Sequence, residues 1–238
     1  MTKRRFLSSI SPPSRERRAR FVTAPGMEQT ERVECTATQV QNTHMLLSAL
    51  LDYPRPNFED ALDAADEITP SLPEEVAADI ERFVAWAREE GKRNIEEHYV
   101  ETFDQRRRCA LYLSYYLAGD TRVRGGAILG FRTLRKAVGY DLDTDELDDY
   151  LPLLLELSGR SGDPMVWDMF AAHRTGIEVM RAALHAVHSP YKHLLDAFTR
   201  TLPTITDEEE EKFVALVSAG PPTELVGLEN NLFTRSES

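Results

Sequence analysis

Three histidines near residue 190 have the spacing that comes closest to a metal site. His185 and His188 are three positions apart, so a helix would place both imidazoles on one face, and His193 follows shortly afterwards. Imidazole nitrogen is the commonest side-chain ligand for metals in proteins. Histidines in the last turn of a helix are equally typical of a solvated end that favours the helix dipole. A metal-binding helical protein that uses these three histidines is therefore one hypothesis for function.

Other arrangements of catalytic residues are missing from the sequence. No histidine has a glutamate three positions before it, which excludes the Glu-x-x-His sequences of a helical di-iron site. The glycine-rich phosphate and dinucleotide motifs and the serine-hydrolase motif do not occur. Two cysteines, Cys35 and Cys109, are too few for a four-thiolate zinc or iron–sulfur site or for a disulfide framework. We predict a cytoplasmic protein with no catalytic residues, no cofactor and no enzymatic activity.

Arginine and aromatic residues are concentrated between residues 99 and 125. Three arginines, Arg106–Arg108, precede a segment that carries Tyr112, Tyr115 and Tyr116. A mixture of arginine and tyrosine is one pattern of RNA-binding surfaces. It is also typical of a scaffold in which tyrosines pack at the edge of a core and arginines pair with acids of neighbouring helices. The charge of the whole chain favours the second interpretation.

The charge distribution argues against a nucleic-acid ligand. The formal net charge is −12, from 28 basic and 40 acidic side chains. Residues 1–26 carry seven basic groups and one acid, and this +6 leaves −18 for the remainder of the chain. Phosphate contacts require clustered lysine and arginine. The acidic body is better suited to a basic protein partner.

The elements that must position these residues are helices. Apolar residues recur at helical spacing in every long segment after about residue 35, and no alternating strand pattern occurs. We predict an all-α single helical domain of about ten helices. One of them is expected to open at Ser71 with a capping box and Pro73 at its first position. The predicted helices cover residues 36–51, 57–65, 73–90, 94–103, 109–118, 120–138, 152–157, 164–187, 191–202 and 207–217.

Three segments are expected to lie outside the regular helices. Residues 1–34 form a basic tail rich in serine and proline, which we predict to be disordered, and translation from Met27 is an alternative that would remove most of it. The helical domain is expected to span residues 35–220, with an acidic hinge loop at 139–150 and a frayed tail at 221–238. The basic start lacks the apolar stretch of an export signal, and no segment has the roughly 18 consecutive apolar residues of a membrane span.

Three motifs resemble a known family. Residues 99–108 read Y-V-E-T-F-D-x-R-R-R, residues 111–116 read L-Y-L-x-Y-Y, and residues 119–125 read G-D-T-R-x-R-G. This run resembles the NarJ-type assembly chaperones, or delta subunits, of membrane-bound respiratory nitrate reductase. The similarity extends from about residue 46 to about residue 157. The same family has an Asp-His-Leu-Pro motif, which here reads Asp149-Tyr150-Leu151-Pro152, with tyrosine in place of histidine.

The resemblance implies a fold and a function. Members are all-helical, cytoplasmic, non-catalytic chaperones that bind the immature molybdenum-containing catalytic subunit, chiefly through its basic, amphipathic N-terminal segment. They keep that subunit competent for insertion of the molybdenum cofactor and the iron–sulfur clusters before it docks at the membrane. A maturation chaperone for another molybdoenzyme is an alternative from the same superfamily.

A binding surface can be placed on the sequence as a hypothesis. Helix-in-groove recognition of a basic segment requires an apolar groove with acids at its rim. We expect residues 141–149 and Tyr150 to border this groove, and Tyr112 or Tyr116 to lie in its floor. The candidate partner-binding residues are Tyr112, Tyr116, Asp120, Arg122, Asp148, Asp149, Tyr150, Leu151 and Pro152.

Overall fold

The computed structural model describes residues 30–118, 122–140 and 145–202. Over these ranges the regular structure is helical, as predicted, and the extended pairing is a single antiparallel bridge between Tyr112 and Tyr150. The described residues form ten α-helices: α1 (Ala37–Leu51), α2 (Phe58–Ile68), α3 (Glu74–Glu90), α4 (Lys92–Tyr99), α5 (Leu113–Ala118), α6 (Arg122–Ala137), α7 (Leu151–Ser161), α8 (Pro164–Ala172), α9 (Arg174–Ala186) and α10 (Lys192–Thr201).

Helix α1 lies at the centre of the fold and packs along α7. Thr36 and Gln39 form a capping box that fixes its first turn, and the four leucines in its last two turns are buried. Gly159 of α7 permits the close approach, because a Cβ atom there would lie 2.9 Å from both the backbone nitrogen and the Cβ of Met45. The contact between α1 and α7 therefore depends on a residue without a side chain.

The capping box predicted at Ser71 and the continuous helix predicted over residues 164–187 are both wrong. Helix α3 begins at Glu74 without a side-chain cap, because the Ser71 hydroxyl donates to the carbonyl of Ile68 and ends a short 3₁₀ turn. The predicted helix over 164–187 is interrupted at His173, where φ is −100° and ψ is 10°. The His173 Nδ1–H donates to the carbonyl of Met169 at 2.8 Å, and the same carbonyl also accepts the backbone amide of His173 at 3.1 Å.

The segment after α4 changes its helical geometry before it ends. Residues Val100–Asp104 form a π-helical turn, and Arg107–Cys109 form a 3₁₀ turn. The backbone then passes alongside the start of α7, where the Leu113 amide donates to the carbonyl of Asp149 at 3.0 Å and the Leu151 amide donates to that of Leu111 at 2.7 Å. This pairing joins the two motif-bearing regions of the sequence.

The ends of the described chain meet at α10. The Val33 amide donates to the carbonyl of Arg200 at 3.0 Å, and the hydroxyls of Thr30 and Thr199 are 2.9 Å apart. Residues 30–33 of the predicted tail are thus in contact with the helical domain. Residues 1–29, the predicted helix over 207–217 and the predicted tail over 221–238 lie outside the described residues, and the domain limits remain a prediction. None of the described helices is long and apolar enough to cross a membrane.

Candidate functional site

A groove of about 540 Å³ opens between α1, α2 and the start of α7. We call it the α1–α2 groove. Three half-buried residues of α2, Ala61, Ala64 and Ile68, line it at helical spacing. Its remaining apolar and aromatic lining residues are Met45, Leu46, Ala49, Tyr53, Phe58, Tyr150, Pro152 and Leu153. Small side chains on α2 leave the groove open, and the size and polarity of this lining suit an apolar helix face.

Acidic side chains lie within and beside this lining. Every charged residue of α2 is acidic and exposed, and these residues are Glu59, Asp60, Asp63, Asp66 and Glu67. Asp60 lies four residues before Ala64, and Glu67 lies three residues after it, so both are on the same stripe of the helix as that groove residue. The acids that line the groove itself are Asp52, Glu146 and Glu156. Arg55 and Arg160 line the groove as well, so its acidic rim consists of these three acids and of the exposed α2 acids Asp60 and Glu67 beside the lining.

A second, smaller cavity adjoins the groove. We call it the aromatic pocket. Its volume is about 200 Å³, and it shares five lining residues with the groove: Asp52, Tyr53, Arg55, Glu146 and Tyr150. Tyr112 lines it from the opposite side, with its ring centroid 5.3 Å from that of Tyr150. The two cavities form one continuous depression with Tyr150 between them.

Tyr150 is the N-cap residue of α7 and is held by two hydrogen bonds. Its hydroxyl donates to Asp52 Oδ1 at 2.9 Å and accepts the proton of the Tyr99 hydroxyl at 2.9 Å. Burial is the main cause that raises the pKa of the Tyr150 hydroxyl far above its usual value, and nearby Tyr99 and Asp52 add to it. The residue in the family's histidine position is consequently neutral here and does not titrate near neutral pH.

Asp148 and Asp149 do not lie at the rim. Asp148 is 3% exposed and pairs with Arg132 Nε at 2.8 Å and with Arg135 at 2.9 Å. Asp149 is fully buried and accepts hydrogen bonds from the backbone amide and the hydroxyl of Ser114. Their predicted position on a solvent-facing rim is wrong, because Asp148 is buried against two arginines and Asp149 is buried against Ser114. They hold α5 and α6 against the loop that precedes α7.

The other candidate residues fall in three environments. Tyr112 lines the aromatic pocket, and Pro152 lines the α1–α2 groove. Leu151 and Tyr116 are buried, and the Tyr116 hydroxyl donates to backbone carbonyls of residues 108 and 110, so Tyr116 is not in the groove floor. Asp120 lies outside the described residues, as do residues 141–144 of the predicted hinge. Arg122 begins α6, and its side chain is not described.

The three histidines of the metal hypothesis do not converge. His185 Nε2 lies 2.9 Å from a carboxylate oxygen of Asp196, His188 is exposed, and His193 Nδ1 lies 4.0 Å from Asp196. Among the described residues, the potential metal ligands that do meet are Asp79, His193 and Asp196. Among the described residues, the three histidines therefore do not form the metal site of the alternative hypothesis.

The carboxylates of that group are already paired with arginines. Asp79 contacts Arg82 at 2.6 Å and Arg200 at 2.7 Å, and Asp196 contacts Arg181 at 2.5 Å. A metal ion would compete with three guanidinium groups for two buried carboxylates, whose separation from their partners is costly. The arrangement is a structural network that joins α3, α9 and α10.

The sequence interpretation missed the contribution of α2. Asp52, Arg55 and the residues of α2 that line the groove were not among the candidates. One signal was available: alanines and Ile68 recur on one face of α2, while all of its charged residues are acidic. The position of the groove could not be read from this pattern, because it depends on how α2 packs beside α1 and α7.

Comparison with known proteins identifies the family. The family model described as "Nitrate reductase delta subunit" matches residues 69–197, which is more than half of the chain. The chain belongs to the nitrate reductase delta subunit family. The matched residues include the π-helical turn, the pairing of residues 111–113 with 149–151, and Tyr150.

Three curated relatives each match between 65% and 71% of the chain. The nitrate reductase-like protein NarX of Mycobacterium tuberculosis is 31% identical over 154 residues, which are 65% of this chain and 23% of that relative. The probable nitrate reductase molybdenum cofactor assembly chaperone NarJ of Bacillus subtilis is 25% identical over 71% of this chain and 92% of its own length. The NarJ chaperone of Escherichia coli K12 is 24% identical over 70% and 72%, respectively. The chain thus spans about a quarter of the length of the M. tuberculosis relative.

Proposed function

We propose that this protein is an assembly chaperone for a respiratory nitrate reductase. It binds the immature catalytic subunit through that subunit's N-terminal segment and keeps it competent for insertion of the molybdenum cofactor and iron–sulfur clusters before membrane docking. Family membership supports this proposal. Two relatives that are named as molybdenum cofactor assembly chaperones also support it, because the chain matches 92% and 72% of their lengths. The protein acts by binding and not by catalysis.

The α1–α2 groove is the observation that carries the proposed mode of binding. An amphipathic helix can place its apolar face against Ala61, Ala64 and Ile68, and its basic residues then meet the acids of α2. Complementary charge at the rim accelerates encounter and fixes the register of the bound segment. The client is held at its N-terminus, so the rest of the catalytic subunit stays accessible for cofactor insertion.

Capture of the catalytic subunit tests the proposal. The purified chaperone is immobilised and mixed with the apo catalytic subunit of the same organism, either complete or without its N-terminal segment. We expect capture of the complete subunit and loss of capture on truncation. Equal capture of both forms would place the main contact elsewhere, and capture of a different molybdoenzyme in preference would change the client.

A matched pair of variants locates the contact on the chaperone. Ala64→Arg adds a long cationic side chain inside the groove, whereas Ala85→Arg adds it on the exposed face of α3. We expect the first variant to lose capture of the complete subunit and the second to retain it. Circular dichroism of both variants checks that each remains folded. Similar capture by both variants would argue against the groove as the binding site.

A further inference from the structure

The aromatic pocket has a lining that suits a cation. Five of its ten lining residues are aromatic, three are acidic and one is arginine. The aromatic residues are Tyr53, Tyr99, Phe103, Tyr112 and Tyr150, and the acids are Asp52, Asp104 and Glu146. Aromatic faces carry negative electrostatic potential and attract cations, and carboxylates at the mouth add full charges. A pocket of this composition disfavours anionic ligands and offers little to a purely aliphatic one.

The walls of this pocket are held in place before any ligand arrives. The Tyr99 ring lies edge-on to Tyr53 at 5.4 Å and contacts Phe103 at 4.7 Å. The Tyr99 hydroxyl is fixed through Tyr150 to Asp52. Pre-organised aromatic walls lower the entropic cost of binding a flexible side chain.

Guanidinium groups already lie beside two of these walls. Arg124 Cζ is 5.8 Å from the centroid of the Tyr112 ring, a cation–π distance. Arg55 Nε is 3.5 Å from Asp52, and the Arg55 side chain is 62% exposed. An exposed ion pair of this kind is weak and easily exchanged. An incoming guanidinium can therefore replace Arg55 at Asp52 with little loss.

We infer that the aromatic pocket is a subsite for an arginine side chain of the client segment. The inference rests on the proposed function for the identity of the client. It gives the aromatic pocket a binding role of its own, separate from that of the α1–α2 groove. The apolar face of the client lies in the α1–α2 groove, and one arginine next to that face extends past Tyr150 into the aromatic pocket. Asp52, Asp104 and Glu146 then receive the charge.

Arginine fits this pocket better than lysine. Guanidinium is planar, stacks on tyrosine rings and donates in a fork that matches a carboxylate, whereas ammonium is compact and more strongly hydrated. Burial, followed by the Glu146 charge, raises the pKa of Tyr112 to about 12, so this ring remains a neutral wall at physiological pH. The discrimination therefore comes from ring faces and carboxylates, which favour a delocalised cation.

A small probe tests the pocket separately from the client. The full chain is titrated with Nα-acetyl-arginine amide while the tyrosine ring signals are followed by NMR. We expect weak saturable binding that shifts the signals of Tyr53, Tyr112 and Tyr150. The acetylated lysine amide should bind several-fold more weakly, and the neutral citrulline amide should not bind measurably. Equal effects of arginine and citrulline amides, or no shifts at these rings, would overturn the inference.

Charge-removing variants provide the matched control. Glu146→Gln and Asp104→Asn keep the shape of the pocket and remove one carboxylate each, and Asp145→Asn makes the same change at an exposed neighbour outside the pocket. We expect about a tenfold loss of affinity for the arginine probe in each pocket variant and no loss in the control, in keeping with the strength of a charge-assisted contact. Equal affinities in all three variants would overturn the assignment.

The client peptide separates this inference from the proposed function. Each arginine of the catalytic subunit's N-terminal peptide is replaced in turn by citrulline, and affinity is measured by calorimetry. We expect one replacement to dominate, and its effect to disappear in the Glu146→Gln and Asp104→Asn double variant. Tight peptide binding that is indifferent to every replacement would reject the arginine subsite and leave the proposed function standing. Binding of the arginine probe without capture of the catalytic subunit would reject the proposed function and retain a cation pocket.

Discussion

Neighbouring acids before α7 differ in what surrounds them. Asp145 and Glu146 are exposed, whereas Asp148 and Asp149 are buried and bonded to α5 and α6. A run of acids in sequence is typical of a solvated loop, which is why a rim was predicted. The partners that bury these two acids are distant in sequence: Arg132 is 16 positions from Asp148, and Ser114 is 35 positions from Asp149. Such distant pairings leave no mark on local composition.

The buried role of Asp149 predicts a large stability effect. Asp149→Ala leaves the amide and hydroxyl of Ser114 without their carboxylate acceptor inside the fold, so we expect a loss of about 2–3 kcal/mol in the free energy of unfolding. Asp145→Ala, at an exposed position, should change it by less than about 0.5 kcal/mol. Urea denaturation of both variants checks this, and comparable losses would contradict the structural role.

His44 predicts how stability depends on pH. Its ring is fully buried, its two nitrogens contact Ser158 Oγ at 2.7 Å and Thr201 Oγ1 at 2.9 Å, and burial lowers its pKa to about 3. The unfolded chain binds the proton with a pKa of about 6.5. The stabilisation is therefore complete above pH 6.5 and is lost as pH falls from 6.5 toward 3, at about 1.4 kcal/mol per pH unit.

Replacement of His44 isolates this contribution from that of the other histidines. His44→Gln retains side-chain hydrogen-bonding capacity and removes the titrating group. Between pH 6.5 and pH 5.5 we expect the free energy of unfolding of the wild type to fall by about 1 kcal/mol more than that of the variant. Parallel pH profiles measured by urea denaturation would show that the proton uptake of His44 does not control stability.

At the scale of elements, helical periodicity predicted most of the fold. The bounds of α1, α2 and α10 agree with the predicted helices to within a few residues, because apolar spacing and capping residues are local signals. The interruption at His173 was missed because buried apolar residues continue in helical register through Phe170 and Ile177. The π-helical turn at Val100–Asp104 likewise has no local sequence rule that would reveal it.

Replacement of glycine by alanine is expected to change stability in opposite directions at two positions. Gly159→Ala introduces a Cβ 2.9 Å from Met45 at the α1–α7 contact, so we expect a loss of about 1–3 kcal/mol in the free energy of unfolding. Gly126→Ala on α6 meets no atom within 4 Å and should raise stability by roughly 0.4–1 kcal/mol through helix propensity. Thermal and urea unfolding of both variants distinguish these outcomes, and a neutral Gly159→Ala would show that α1 and α7 can separate freely.

At the scale of the whole molecule, exposed acids of α2 lie beside the groove. Asp60 and Glu67 contribute to the rim that the sequence interpretation assigned to residues 141–149, four of which lie outside the described residues. Composition predicts a basic partner, which stays a prediction, and the groove itself becomes visible only in the packing of α2 beside α1 and α7. The overall net charge alone does not distinguish one acidic face from another.

Rim charge predicts salt-dependent binding of the client peptide. The double variant Asp60→Asn with Glu67→Gln removes two charges on the stripe of Ala64, and we expect a several-fold weaker affinity and a shallower dependence on salt. The double variant Asp63→Asn with Asp66→Asn removes the same net charge beside Arg88, on another stripe of α2, and should have a smaller effect. Equal effects of the two double variants would indicate a response to net charge and not to the rim.

Site-specific photo-crosslinking tests the groove as the client site most directly. A benzophenone amino acid replaces Tyr53, which is 40% exposed in the groove, or Leu129, which is 60% exposed on α6 and lies outside it. Each protein is irradiated with the apo catalytic subunit, and crosslinked peptides are identified by mass spectrometry. The groove model predicts that position 53 crosslinks to the N-terminal segment of the catalytic subunit and that position 129 does not. Crosslinking to that segment from position 129 alone, or equally from both positions, would contradict it.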